Sequence, residues 1–151
     1  YNYKYGKNGA TTDINLANQY NEKACNGGNA HACTNQGYNY EKGEGYPKNE
    51  YRAAQLYKKA CDIGHALGCR NQASMYDRGA GVTQNKYTAR RLYQQACTGG
   101  DSSGCGSLGN YMYLGLGGAK DVNGGIAKLR DACRRNNTWS CNKLSSYGYS
   151  K

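Results

Sequence analysis

Ala60-Cys61-Asp62-Ile63-Gly64-His65-Ala66-Leu67-Gly68-Cys69 is one of four occurrences of a single pattern in this 151-residue chain. The cysteines are Cys25 and Cys33, Cys61 and Cys69, Cys97 and Cys105, and Cys133 and Cys141. Partners within a pair lie 8 residues apart and successive pairs lie 36 apart, without slippage. An alanine precedes the first cysteine each time: Ala24, Ala60, Ala96, Ala132. A fixed period between about 20 and 50 residues marks a solenoid or array, in which each unit buries its apolar face on the next.

The spacing within a pair carries geometry. On one continuous helix, cysteines eight apart would stand about 12 Å apart. A disulfide needs Cα atoms within about 7 Å. If the pairs are bridged, the chain must turn back between them, and Gly27-Gly28, Gly64 and Gly99-Gly100 permit that reversal. Each pair would then staple the end of one helix to the start of the next. The chain-entropy model gives about 2.6 kcal/mol for such a nine-residue loop. The rival reading is metal. Zinc sites usually place cysteines two to four residues apart and converge four ligands. Neither condition holds here, so no metal and no cofactor is expected.

Composition fits a stack better than a large core. The chain has no Phe, one Trp and 38% apolar residues. Thin cores with covalent staples are the natural alternative. An even cysteine count points to an oxidising compartment: periplasm, cell surface or medium. No apolar run approaches a transmembrane span. No signal-peptide pattern opens the sequence, and Tyr1-Asn2-Tyr3-Lys4-Tyr5 reads as the start of a mature chain. The net charge of +10 favours an acidic partner. The basic residues are dispersed, with only Arg90-Arg91, Lys58-Lys59 and Arg134-Arg135 as pairs. No nucleic-acid module signature appears, so nucleic acid is not expected.

Residues 1–13 read as an irregular lead-in, with Asp13 placed to cap the helix that follows. Four segments then end on the first cysteine in phase: 15–25, 51–61, 87–97 and 123–133. Ala53, Leu56, Tyr57 and Ala60 fall at helical spacing, as do Ala89, Leu92, Tyr93 and Ala96. Gly124 and Gly125 weaken the last of these helices. The second cysteines open another pattern at +3, +4 and +7. Cys69 is followed by Gln72, Ala73 and Tyr76, and Cys105 by Leu108, Gly109 and Met112. The small residue at +4 lets a neighbouring helix approach closely. A G-x-G then ends the helix, and Pro47 stands where the start of the next helix tolerates it.

The run C-x-x-[LQ]-[GA]-x-x-[YM]-x-x-G-x-G, followed by a helix ending A-C, resembles the Sel-one-like repeats, relatives of the tetratricopeptide repeats. The cysteine pair per unit is similar to the subgroup typified by the Helicobacter cysteine-rich proteins. The resemblance covers residues 15–147. It implies an all-α, right-handed superhelical solenoid of antiparallel helix pairs, with one disulfide per repeat and secretion or periplasmic residence. Residues 14–151 would form a single solenoid of about four 36-residue units, expected as a monomer. Family members are mostly protein-interaction scaffolds. Some are described as penicillin-binding or as weak β-lactamases, and others serve as immunity proteins. Gln36 and Gln72 stand where Leu is usual, Met112 where Tyr is usual, and Gly148 at the last aromatic position.

No catalytic constellation assembles. Ser140-Cys141-Asn142-Lys143 matches the S-x-x-K motif of penicillin-recognising enzymes, but no S-D-N or K-T-G partner exists in the chain. His31 and His65 occupy non-equivalent repeat positions and read as surface or packing residues. The 16 tyrosines are the better clue. Tyr40, Tyr57, Tyr76 and Tyr93 serve the repeat cores, while the surplus suits an interface.

Helical geometry separates the two sets. With the second cysteine at 0°, positions +3, +4 and +7 lie within about 60° of it. Positions −2, +1, +5, +8 and +9 form a stripe between about 80° and 180°. The resemblance implies that this stripe lines the concave groove. It reads His31, Thr34, Tyr38, Glu41 and Lys42, then Leu67, Arg70, Ser74, Asp77 and Arg78. It continues through Ser103, Gly106, Asn110, Tyr113 and Leu114 to Trp139, Asn142, Ser146 and Tyr149. Aromatics interleaved with Arg make a protein- or peptide-binding surface, the function expected here.

Overall fold

The computed structural model describes the backbone from Ala10 and the side chains from Ile14 to the end of the chain. Residues 1–9, most of the expected lead-in, lie outside the described residues. Among the described residues there are eight helices and no strand. They are α1 Ala10–Asn26, α2 Ala30–Lys42, α3 Glu50–Asp62, α4 Ala66–Arg78, α5 Lys86–Thr98, α6 Ser102–Leu114, α7 Val122–Arg134 and α8 Thr138–Ser146. α1 begins at Ala10, ahead of the capping position expected at Asp13. Nothing between Ala10 and Asn26 breaks a helix, so Asp13 lies inside it rather than ahead of it. Pro47 is also outside any helix; it sits in the α2–α3 loop, two residues before the Asn49 cap.

The period of 36 writes the helix boundaries. Asn49, Asn85 and Asp121 cap α3, α5 and α7, each side chain accepting from a backbone N–H three residues on. Asn29, Asp101 and Asn137 do the same for α2, α6 and α8. The even helices α2, α4 and α6 stop at the first glycine of the G-x-G, in the left-handed conformation. Between the cysteines of each pair one residue reverses the chain at positive φ: Gly28, Gly64, Gly100 and, in the last unit, Asn136 at 64°. Asn is among the few side chains that tolerate that region.

The reversal brings each cysteine pair to bonding distance. Disulfides join Cys25–Cys33, Cys61–Cys69, Cys97–Cys105 and Cys133–Cys141, with Cα atoms 4.3–4.8 Å apart. The alanine before the first cysteine is explained by the same turn. A Cβ on Gly68 or Gly104 would stand 2.7 Å from the Cβ of Ala60 or Ala96, so only small residues let the two helices meet there.

Packing is thin and segmented, as composition demanded. Ala53, Ala54, Tyr57 and Met75 form one cluster; Ala89, Leu92, Tyr93, Ala96, Leu108 and Tyr111 another; Ile126, Leu129 and Leu144 a third. Tyr57, Tyr93 and Tyr111 take the buried aromatic role that Phe would have, while Tyr40 and Tyr76 are half-buried. The glycines of α7 have a packing role. A Cβ on Gly125 would meet Gly109 O at 2.6 Å and Tyr113 N at 2.7 Å, so α6 and α7 touch backbone to backbone.

Each helix packs on its sequence neighbours. In addition the backbones of α2 and α4, α4 and α6, and α6 and α8 come close together, whereas among the described residues no two odd-numbered helices approach that closely, and they meet only through side chains such as Cys61 and Gln95. The even helices therefore form the inner, closely spaced row and the odd helices the outer row.

Candidate functional site

The stripe residues all belong to the inner-row helices or their ends. Along that row the structure ties consecutive even helices together through side chains. Glu41 of α2 accepts from Tyr57 Oη at 2.7 Å and pairs with Arg78 of α4 at 3.1 Å. Arg78 also donates to Ser74 Oγ at 3.2 Å. Asp77 pairs with Lys86 at 2.5 Å and accepts from Tyr111 Oη of α6. Arg70 of α4 lies 3.0 Å from the Asp101 carboxylate that caps α6. At the far end Tyr147 donates to Asn110 Oδ1 at 2.6 Å and stacks on Tyr113, with ring centroids 3.9 Å apart.

These contacts set the electrostatics. Burial raises the Glu41 pKa, but the Tyr57 hydrogen bond and the Lys42 and Arg78 charges outweigh it, and the carboxyl titrates below its ordinary range. Asp77 is likewise lowered: burial opposes, while Lys86 and Tyr111 hydrogen bonds and the Lys86 and Arg78 charges prevail. Tyr57 and Tyr111 are raised by burial and by the carboxylates they bond. Burial, with the nearby Asp77 charge, pushes Tyr93 up to about 12. The inner carboxylates are thus charged and engaged. Lys42 and Arg78 remain on the surface, with Lys42 Nζ 5.8 Å from the Tyr38 ring.

Not every expected residue is accessible. Thr34 is buried: its hydroxyl donates to Ala30 O, and His65, at the start of α4, covers it at 2.8 Å. Gly106 is buried, and a Cβ added there would run into Ser140 Oγ. Tyr38 and Trp139 are exposed, at 38% and 45%, and Leu114 at 47%. Lys143 holds its ammonium 5.6 Å from the Trp139 ring and 5.9 Å from Tyr147, so Trp139, Lys143, Tyr147, Tyr113 and Tyr149 make a continuous aromatic run.

His31 and His65 meet although the sequence places them at unlike positions. Their ring centroids are 4.2 Å apart. His65 occupies the cap position of α4 but makes no side-chain cap bond, and its ring turns to Thr34 instead. Burial first, and then the His31 neighbour, lower its pKa; Asp101 opposes them.

The S-x-x-K motif has no reactive geometry. Ser140 is fully buried, and its hydroxyl donates to Asn137 Oδ1 at 2.8 Å within the α8 cap. Lys143 faces Trp139 and Tyr147. Among the described residues no group of three or more His, Cys, Asp or Glu could hold a metal ion.

The sequence reading missed the cross-helix role of Tyr111 and Lys86 and the regular caps. The caps had a signal, since Asn or Asp recurs every 36 residues from Asn49 and from Asn29, His65 being the exception. The Asp77–Tyr111 contact had none, because Asn39, Met75 and Tyr147 stand at the positions equivalent to Tyr111.

With this geometry in hand, comparisons place the chain among known proteins. The family pattern called the Sel1 repeat matches residues 1–29, 30–65 and 66–101. No curated protein matches the sequence. A protective antigen of uropathogenic Escherichia coli displaying an SLR fold superposes with TM-score 0.88 at 29% identity, over 97% of this chain and 32% of that one. A Sel1 repeat protein from Oxalobacter formigenes gives 0.86 at 26% identity, over 95% and 58%. Cysteine rich protein B of Helicobacter pylori gives 0.70 at 27% identity, over 92% and 100%. This chain spans about a third of the first structure and somewhat over half of the second.

Proposed function

The chain belongs to the Sel1 repeat family, and from that premise we propose that it is an extracytoplasmic scaffold whose inner row binds a protein or peptide. The observation that carries the reading is the inner row itself. Two charged contacts between inner-row helices (Glu41–Arg78 and Arg70–Asp101) and the Asp77–Tyr111 hydrogen bond fix it, and Tyr38 and Trp139 remain exposed at its two ends. A surface held before binding loses little entropy on binding, and rigid aromatics beside cations suit a protein partner.

Four disulfides within one small chain support residence in an oxidising compartment. No helix among the described residues is long and apolar enough to cross a membrane. One specific form of the proposal is an immunity or adaptor protein with an acidic partner, acting as a monomer. No catalysis is expected: with Ser140 buried in a cap, β-lactam turnover should stay at background in a nitrocefin assay, and turnover abolished by Lys143→Ala would contradict that. The binding reading is tested by capturing partners from the envelope fraction of the source with the wild type and with Tyr38→Ala/Trp139→Ala. The captured partner should be lost from the double variant. Retention of the same partner by both proteins would contradict inner-row binding.

A further inference from the structure

The outer side carries a cavity of about 400 Å³ between α5, α6 and the α6–α7 loop. Tyr87, Arg90, Arg91, Gln94, Leu108 and Met112 line it, together with the backbone of 117–119. The internal repeat explains why it exists. The equivalents of Arg90, Gln94, Leu108, Met112 and Gly118 in the first unit are Asn18, Glu22, Gln36, Tyr40 and Tyr46. There the Tyr46 ring fills the space. It stacks on Tyr40 with centroids 4.2 Å apart and an interplanar angle of 12°, and its hydroxyl donates to Asn18 O at 3.3 Å. Gln36 hydrogen-bonds to it, and the Glu22 charge is near enough to act on it. In the second unit Val82 fills the same place, against Ala53, Ala54 and Tyr57. In the third unit the plug is Gly118 and the stacking partner is Met112, so the ring is missing, and the space is left lined by Arg90, Gln94 and Leu108 in place of Asn18, Glu22 and Gln36. Arg90 holds the loop in place by donating to Leu116 O and Ala119 O, at 3.2 and 2.9 Å.

The surroundings define what fits. Leu108 and Met112 give an apolar floor, and a thioether packs well against an aromatic ring. The exposed Tyr87 ring stands at the mouth. Arg91 is exposed, and no hydrogen bond or ion pair of the described residues engages its guanidinium. A guanidinium of this kind recognises a carboxylate in a bidentate manner. We propose that this cavity is a binding site for an aromatic ring that carries or adjoins a carboxylate, supplied by an acidic partner segment that replaces the missing tyrosine. The site is on the outer side and stands independently of the inner-row reading.

The chain has two methionines, Met75 and Met112, which gives a direct probe. Met75 is fully buried elsewhere and serves as the internal control. With methyl-labelled methionine, N-acetyl-L-tyrosine titrated to about 10 mM should shift the Met112 signal saturably and leave Met75 in place; a small ligand of ordinary efficiency reaches millimolar affinity. N-acetyl-L-tyrosinamide, which lacks the carboxylate, should bind about tenfold more weakly, and Arg91→Ala should remove that difference. Gly118→Tyr reproduces the first unit and should abolish binding. Gly118 is not at positive φ, but its new Cβ would meet the Arg90 guanidinium at 2.9 Å, which must swing off Leu116 O and Ala119 O, so circular dichroism is used to establish that the variant is folded. Absence of a Met112 shift, equal affinity for acid and amide, or unchanged binding by folded Gly118→Tyr would each overturn the proposal.

Discussion

His65 shows how far one side chain departs from the repeat around it. At the equivalent position Asn29, Asp101 and Asn137 cap their helices, whereas His65 leaves α4 uncapped by any side chain. His65→Asn should therefore stabilise the protein by about 1 kcal/mol at pH 7, the usual worth of a cap, as read by urea denaturation. The gain should grow on mild acidification. Because the His65 pKa is lowered in the fold, the unfolded chain takes up the proton first as pH falls, and wild-type stability declines below the ordinary imidazole value of 6.5. Glu41 and Asp77 act on a second, more acidic limb. Their lowered pKa values mean that the contribution is complete above their ordinary values of 4.5 and 3.8 and is lost as pH falls through the folded values. Stability measured from pH 8 to 3 should show both limbs, with the first absent in His65→Asn. At this scale the sequence was least legible. It kept His31 and His65 apart and placed Thr34 on the surface, because both depend on how one unit stacks on the next.

At the scale of elements, phase decided most of the outcome. The cysteine pairs place each turn and the G-x-G places the end of each even helix through α6, so helix order followed from spacing alone. The errors lie where local chemistry competes with packing. Helix propensity marks Gly124 and Gly125 as weaknesses, but the α6–α7 contact requires Gly125. Gly125→Ala should consequently destabilise by about 1–3 kcal/mol through overpacking, although propensity alone would favour alanine by about 1 kcal/mol. A more stable Gly125→Ala protein in the same denaturation experiment would contradict the close contact. Removing one staple, with Cys61→Ser and Cys69→Ser together, should cost about 2–4 kcal/mol. Peptide mapping under non-reducing conditions should recover each bridge within its own pair.

The whole molecule is a row of small cores rather than one large core, so its surface is organised by rows. The inner row carries most of the cross-helix contacts, while dispersed cations, such as Lys58, Lys59 and Arg91, project from the outer helices. If the partner is acidic, association should slow as salt rises, because exposed charges are screened beyond about 8–10 Å at physiological ionic strength. The fold was legible because it follows from a period. Which stripe members are already engaged was not, since Arg70, Glu41 and Asp77 turn out to bond neighbouring inner-row helices. The most direct test is the affinity of the captured partner for two sets of variants in one titration assay. Tyr38→Ala and Trp139→Ala should each weaken the complex by about 1–4 kcal/mol with folding retained, while Lys58→Ala and Lys59→Ala on the outer row leave it unchanged. Loss of affinity in the outer-row set, with the inner-row set unaffected, would contradict the account.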